Sequence, residues 1–193
     1  MNIVEVVITA AKRVGQVVVQ PASAHCDTED GPAVTDGRRA LATGNVNYAL
    51  KWIAAEGEAE LRDAFERAVA AGADGPEGVQ RAELQFLEAL VRIHRTEEGV
   101  GFDGIKPTGT QLPPQVVAAD AALEARSIAP LRGLIPTDRW AELERRFANA
   151  LAKKNYDVDN LPAARDYIAA YVSFFKYAEG EEHDHAHAGG HHQ

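Results

Sequence analysis

Apolar residues recur along most of this chain at helical spacing. Four stretches (46–69, 84–94, 140–151 and 164–175) place them three and four positions apart, which is typical of amphipathic α-helices that bury one face. No stretch alternates clearly enough to predict a sheet, and no repeat period is found. The pattern predicts an all-α, single-domain antiparallel helical bundle. The buried faces are expected to carry Val46, Leu50, Ile53, Leu61, Phe65, Val69, Leu84, Leu87, Val91, His94, Trp140, Leu143, Phe147, Leu151, Ile168, Tyr171, Phe174 and Phe175.

Glycine and proline mark where these helices begin and end. Pro32 predicts the start of a short helix and Gly44 its end, because proline suits the first helical turn and glycine the C-terminal cap. One long helix is expected over 45–71, with Gly57 as a kink. A long loop at 99–114 is of the kind that often carries function. Further helices are predicted at 77–98, 116–126, 137–155 and 161–178.

The two ends of the chain differ from the bundle domain, which we expect to span 25–178. Residues 1–24 hold an apolar stretch ahead of a small-residue sequence of the processing-site type, so a leader is one interpretation. Charges interrupt that stretch, and an ordinary first helical segment is the alternative. The polar, His-rich residues 179–193 are expected to form a disordered, flexible tail.

Composition and charge narrow the classes of partner. Hydrophobic residues make up 46% of the chain and charged residues 25%, as in ordinary globular proteins. The net charge of −9, without a basic stripe, argues against nucleic-acid binding and against docking on an anionic membrane. We expect a soluble, cytoplasmic protein, with export after leader cleavage as the alternative. A homo-oligomer is compatible with this composition.

The tail contains the first candidate metal ligands. His183, His185 and His187 alternate with other residues near the end of the chain. Imidazoles spaced in this way on a flexible segment suit divalent nickel, copper or zinc. The tail is therefore interpreted as a native chelating arm, and an expression tag is the alternative.

A second candidate is the sequence from His25 to Pro32. It places the single cysteine, Cys26, between His25 and Asp27, and Asp30 follows just before a predicted helix start. Imidazole, thiolate and carboxylate together are a plausible ligand set for a transition metal. A helix N-terminus would favour the thiolate form of Cys26. As an alternative, Asp30 merely caps the helix.

The third candidate is the pair His94 and Glu98 on the predicted helix 77–98. Their spacing of four residues places both side chains on one face, where they could bind a metal or act as acid and base. The alternative is a histidine at the edge of the core that is hydrogen-bonded to Glu98.

Two resemblances follow from these residues. His25, Cys26, Asp27 and Gly31 resemble the nickel-binding hook of nickel superoxide dismutases. Asp30 stands where that family has its second cysteine, so the resemblance implies nickel binding but leaves superoxide dismutation in doubt. The segments 25–32, 44–47, 90–95 and 106–107 resemble an uncharacterised prokaryotic family with a His-Cys-Asp-Thr-x-Asp-Gly-Pro motif. That second resemblance implies membership of a family but no activity or mechanism.

Three functions remain open at this level. The first is a metal-dependent enzyme, redox or hydrolytic, with its centre at the His-Cys-Asp segment and His94 nearby. The second is a metal carrier or storage protein that uses the tail. The third is a metal-free thiol sensor based on Cys26. The expected cofactor is a transition metal ion, namely nickel, zinc or copper.

Overall fold

Helices make up most of the chain from residue 25 to residue 180, the part that the computed structural model describes. The helices within this part are α1 (Pro32–Thr43), α2 (Asn47–Leu50), α3 (Glu58–Ala70), α4 (Gly75–Glu97), α5 (Pro114–Ala125), α6 (Trp140–Lys153) and α7 (Leu161–Glu179). Short 3-10 turns lie at Ala55–Gly57, Ala71–Ala73, Ala129–Leu131 and Thr137–Arg139. An isolated parallel bridge joins Thr28 to Lys106, and no named strand forms within 25–180. The all-α prediction is confirmed.

The helices pack as neighbours around one core. α3 lies against α4 and α6 against α7, while α1 packs on α4 and α5 on α7. Each of the seven helices contributes buried apolar residues to a single cluster, in which Phe86, Phe174, Leu50, Leu61 and Leu90 are fully buried. Burial of each such side chain contributes about 1.5–3 kcal/mol to stability. None of the helices described here is long and apolar enough to cross a membrane.

The predicted long helix over 45–71 is wrong. The chain leaves helical geometry after α2, is extended at Ala54 (φ −74°, ψ 170°), and resumes as α3. We call residues 51–57 the break segment. Its freed backbone groups bind side chains from distant helices: His94 Nδ1 donates to the Trp52 carbonyl and Arg165 Nε to the Ile53 carbonyl, both over 2.8 Å. Glu97 Oε2 accepts the Ala54 N–H, also over 2.8 Å. Tertiary contacts therefore override the local helical pattern.

Two predicted core positions are also wrong. Val69 and Leu84 are 56% and 49% exposed. The α3–α4 hairpin extends past the core, because the core residues of α3 end at Ala64 and those of α4 begin at Phe86. At the other end of the chain, α7 continues through Glu179, the first residue assigned to the tail, before Gly180 caps it. The leader-like residues 1–24 and the His-rich residues 181–193 lie outside the described part.

Candidate functional site

The long loop between α4 and α5 holds the His-Cys-Asp segment against the bundle. The Lys106 N–H donates to the Asp27 carbonyl over 2.8 Å, and the Glu29 N–H donates to the Lys106 carbonyl over 2.9 Å. From α4, the Arg95 guanidinium donates twice to the Gly101 carbonyl, over 3.1 and 3.0 Å. The loop thus fixes the backbone on both sides of Thr28.

Cys26 is buried among carboxylates. Burial is the main cause that raises the pKa of its thiol well above the ordinary value, and the negative charges of Glu98, Asp27 and Asp120 raise it further. Lys176 opposes this shift. Cys26 is therefore a neutral thiol near neutral pH, contrary to the expectation that the start of α1 would stabilise a thiolate.

Asp27 is also buried, with its side chain only 1% exposed. Its Oδ2 atom lies 3.2 Å from Nη1 of Arg95. Burial raises the pKa of the carboxyl group to about 6, although the charge of Arg95 lowers it. The side chain of Asp27 thus pairs with α4, and its backbone carbonyl is bound by the loop.

Asp30 lies apart from these buried groups, at the surface. The residue that caps α1 is Gly31, and no side chain of the described residues provides a cap hydrogen bond there. The interpretation of Asp30 as the helix cap is therefore wrong. Its pKa is lowered chiefly by a hydrogen bond with the Thr28 hydroxyl.

His25 contacts α5 and α7. Its Nε2 atom lies 2.6 Å from Oδ2 of Asp120, and its ring stacks on Phe175 with the ring centroids 5.1 Å apart. The Tyr171 hydroxyl donates to Oδ1 of Asp120 over 2.8 Å. Sequence reasoning missed Asp120. The available signal was its position as the one charged residue among the apolar residues from Val116 to Leu123.

His94 has a defined protonation state in this geometry. Its Nδ1 atom lies 2.8 Å from the Trp52 carbonyl oxygen, which can only accept, so Nδ1 carries the proton. Burial is the main cause that lowers the pKa of the imidazole, and the ring is therefore neutral near neutral pH. Nε2 is then unprotonated, and its lone pair lies in the interior of the protein.

Glu98 faces this lone pair from the next turn of the chain. Its Oε2 atom lies 3.8 Å from His94 Nε2, and Lys176 Nζ lies 2.9 Å from Oε1. Within 25–180 neither His94 Nε2 nor Glu98 Oε2 has a hydrogen-bond partner, and both are buried. A neutral Nε2 and a carboxylate oxygen are both acceptors, so they cannot bond to each other directly. They do share an affinity for a cation.

A cavity of about 490 Å³ opens beside this pair. The break segment, the end of α4, and helices α6 and α7 form its walls. His94, Glu98 and Lys176 line it together with Trp52. A volume of this size lies in the range of small-molecule sites.

The structure does not bring the residues that the sequence proposed as metal ligands into one three-ligand cluster within 25–180. No three His, Cys, Asp or Glu side chains in the described part of the chain are placed so that they could hold one ion. His25 lies with Asp120, Asp27 with Arg95, and His94 with Glu98, whereas Asp30 is at the surface. His183, His185 and His187 fall outside the described residues, and their metal-binding role remains a prediction.

Comparison with known sequences gives one match. The chain matches the family of unknown function DUF6448 over residues 30–177. The matched region contains the segments 44–47, 90–95 and 106–107, whereas His25 to Thr28 precede it. No significant match was found among curated proteins or among solved structures. Because the match spans most of its length, the chain belongs to this family of unknown function.

Proposed function

We propose that this protein binds a divalent transition metal ion (nickel, zinc or copper) between His94 and Glu98. The observation that carries the proposal is the pair of buried atoms His94 Nε2 and Glu98 Oε2, which lie 3.8 Å apart and have no hydrogen-bond partner among residues 25–180. Ligand atoms that share one ion at about 2.0–2.2 Å lie within roughly 4 Å of each other. An ion between them would satisfy two buried acceptors at once.

The surroundings of both ligands support this proposal. A metal-ligating histidine usually donates its other ring N–H to a carbonyl or carboxylate, which fixes the tautomer. His94 makes this contact with the Trp52 carbonyl. Lys176 engages Oε1 of Glu98 and so leaves Oε2 to face His94. The charge of Lys176 would also weaken cation binding, so we expect moderate affinity.

A centre with two protein ligands would keep coordination positions open. His94 and Glu98 line the 490 Å³ cavity, so those positions would face it. Open positions are typical of catalytic metal sites, whereas structural sites are closed by protein ligands. This arrangement favours a metal-dependent enzyme, redox or hydrolytic, over a storage protein.

The alternatives place the ion, or the chemistry, elsewhere. The raised pKa of Cys26 weighs against a thiol sensor, because the thiolate is the reactive form. It also means that metal binding at the His-Cys-Asp segment would have to displace a proton from the thiol. A carrier that relies on the tail would no longer bind metal once the tail histidines were replaced.

The test uses the full chain with all five tail histidines (His183, His185, His187, His191 and His192) replaced by alanine. Titration calorimetry with nickel, zinc and copper, combined with metal analysis, should give about one ion per chain. His94→Asn and Glu98→Gln should each weaken binding by at least about tenfold, whereas the exposed control Glu66→Gln should not. Cys26→Ser should retain the affinity. Loss of binding in Cys26→Ser alone, or equal affinity in all variants, would overturn the proposal.

A further inference from the structure

The cavity beside His94 is surrounded by basic side chains. Lys51 in the break segment, Arg146 on α6, and Arg165 and Lys176 on α7 all line it. Lys51 and Arg146 are buried, and Lys176 is only 15% exposed. Four basic residues from three elements thus line the same cavity.

Three of these cations are fixed by acids that stand behind them. Asp36 lies 2.8 Å from Lys51, Glu142 lies 2.6 Å from Arg146, and Glu58 lies 2.7 Å from Arg165. These three acids do not line the cavity. The ion pairs therefore hold the basic groups in place, and their acidic partners lie outside the cavity lining.

The carboxylates that do line the cavity compensate for this charge only in part. Glu97 accepts the Ala54 N–H, and Glu98 is paired with Lys176. The third, Asp166, has a side chain that is 72% exposed and lies 3.3 Å from the surface residue Lys153. The cavity lining thus holds four basic side chains against three carboxylates, and Asp166 among these is largely exposed.

Apolar groups form the rest of the wall. Trp52, Ile53, Ile168 and Val172 line the cavity between the basic groups. Small-molecule sites combine such apolar walls with a few fixed polar groups that orient the ligand. We propose that the cavity binds a small organic carboxylate with an apolar body, and that its carboxylate group contacts Lys176.

The test uses the full chain without metal, in the presence of a chelator, so that its outcome does not depend on the proposed metal site. The probes are 3-phenylpropionate and its neutral and cationic counterparts, 3-phenylpropanamide and 3-phenylpropylamine. The chain has two tryptophans, so a nitrogen–proton correlation spectrum shows two indole peaks. Trp52 lines the cavity and Trp140 does not, so the carboxylate should shift the Trp52 peak alone.

The expected order of affinity is carboxylate over amide over amine, with about tenfold between the first and the last. Lys176→Gln should weaken carboxylate binding by about tenfold. Arg81→Gln, which removes an exposed cation in the N-terminal half of α4, should leave it unchanged. Should Lys176→Gln fail to fold, the probe series on the unaltered chain still decides. Equal or tighter binding of the amine, or no saturable shift of the Trp52 peak by the carboxylate up to about 10 mM, would overturn the proposal.

Discussion

The Nδ1 atom of His94 on α4 donates a hydrogen bond to the carbonyl oxygen of Trp52, over 2.8 Å. Trp52 lies in the break segment, where the predicted long helix stops. The same contact therefore has two consequences. It provides a donor for the Trp52 carbonyl, which has no helical partner within 25–180. It also fixes the tautomer of His94, so that the unprotonated Nε2 faces Glu98.

This double role predicts different outcomes for two substitutions of His94. His94→Phe leaves the Trp52 carbonyl without its donor and should lower the free energy of unfolding by about 1–3 kcal/mol. His94→Asn keeps an amide N–H near the position of Nδ1 and should cost less. Denaturant unfolding of both metal-free variants measures the difference. Equal losses would show that the hydrogen bond to Trp52 does not stabilise the break segment.

Lys176 should weaken the binding of the proposed metal ion and strengthen the binding of the proposed carboxylate. Its ammonium group lies 2.9 Å from Glu98 Oε1, so it repels a cation at His94 and Glu98. Lys176→Gln should therefore strengthen metal binding, by on the order of tenfold, although it weakens carboxylate binding. Calorimetry with zinc and with 3-phenylpropionate on the same protein checks both signs. A variant that loses both affinities together would point to a disrupted fold instead.

Asp27 should make stability depend on pH. Burial raises the pKa of its carboxyl group in the folded protein to about 6, from an ordinary value of 3.8. The folded state then binds the proton more tightly than the unfolded chain. The resulting stabilisation is fully present below about pH 4 and is lost as the pH rises through about 6. The free energy of unfolding of the unaltered chain, relative to Asp27→Asn, should fall by about 1–3 kcal/mol between pH 4 and 7.

The control for this prediction is Asp63→Asn, at an exposed carboxylate on α3. The difference between the unaltered chain and this variant should stay flat over the same pH range. A free energy relative to Asp27→Asn that rises with pH would mean that Arg95 outweighs the burial of Asp27.

Gly57 should be intolerant of a side chain. A Cβ atom at this position would lie 2.6 Å from Cγ2 of Ile93 and 3.3 Å from Cδ1 of Ile53. Gly57→Ala should thus destabilise the protein by about 1–3 kcal/mol, because α3 would have to move away from α4. At Gly72 a Cβ would meet nothing within 4 Å, so Gly72→Ala is the matched control and should cost less than about 0.5 kcal/mol. Thermal unfolding of both variants compares them.

The sequence predicted those parts of the fold that depend on local signals. Pro32 and Gly44 bound α1 as expected, because the conformations of proline and glycine are set within the residues themselves. The break segment could not be predicted in this way. It depends on His94, Glu97 and Arg165, which are distant in sequence and supply hydrogen bonds that compensate for the interrupted helix.

The candidate site shows the same division. The pairing of His94 with Glu98 follows from helical spacing and could be read from the sequence. The environment of Cys26 could not, because Glu98 and Asp120 reach it from other elements and raise the pKa of the thiol. Neighbours in the sequence suggested a thiolate, whereas neighbours in space favour a neutral thiol.

The most direct test of the metal site is anomalous diffraction from zinc-loaded crystals of the chain whose tail histidines are replaced by alanine. We expect an anomalous peak about 2.0–2.2 Å from both His94 Nε2 and a carboxylate oxygen of Glu98, at the wall of the cavity. Glu98→Gln crystals should lack that peak. A zinc peak at Cys26 or on the protein surface, with none between His94 and Glu98, would contradict the proposed metal site.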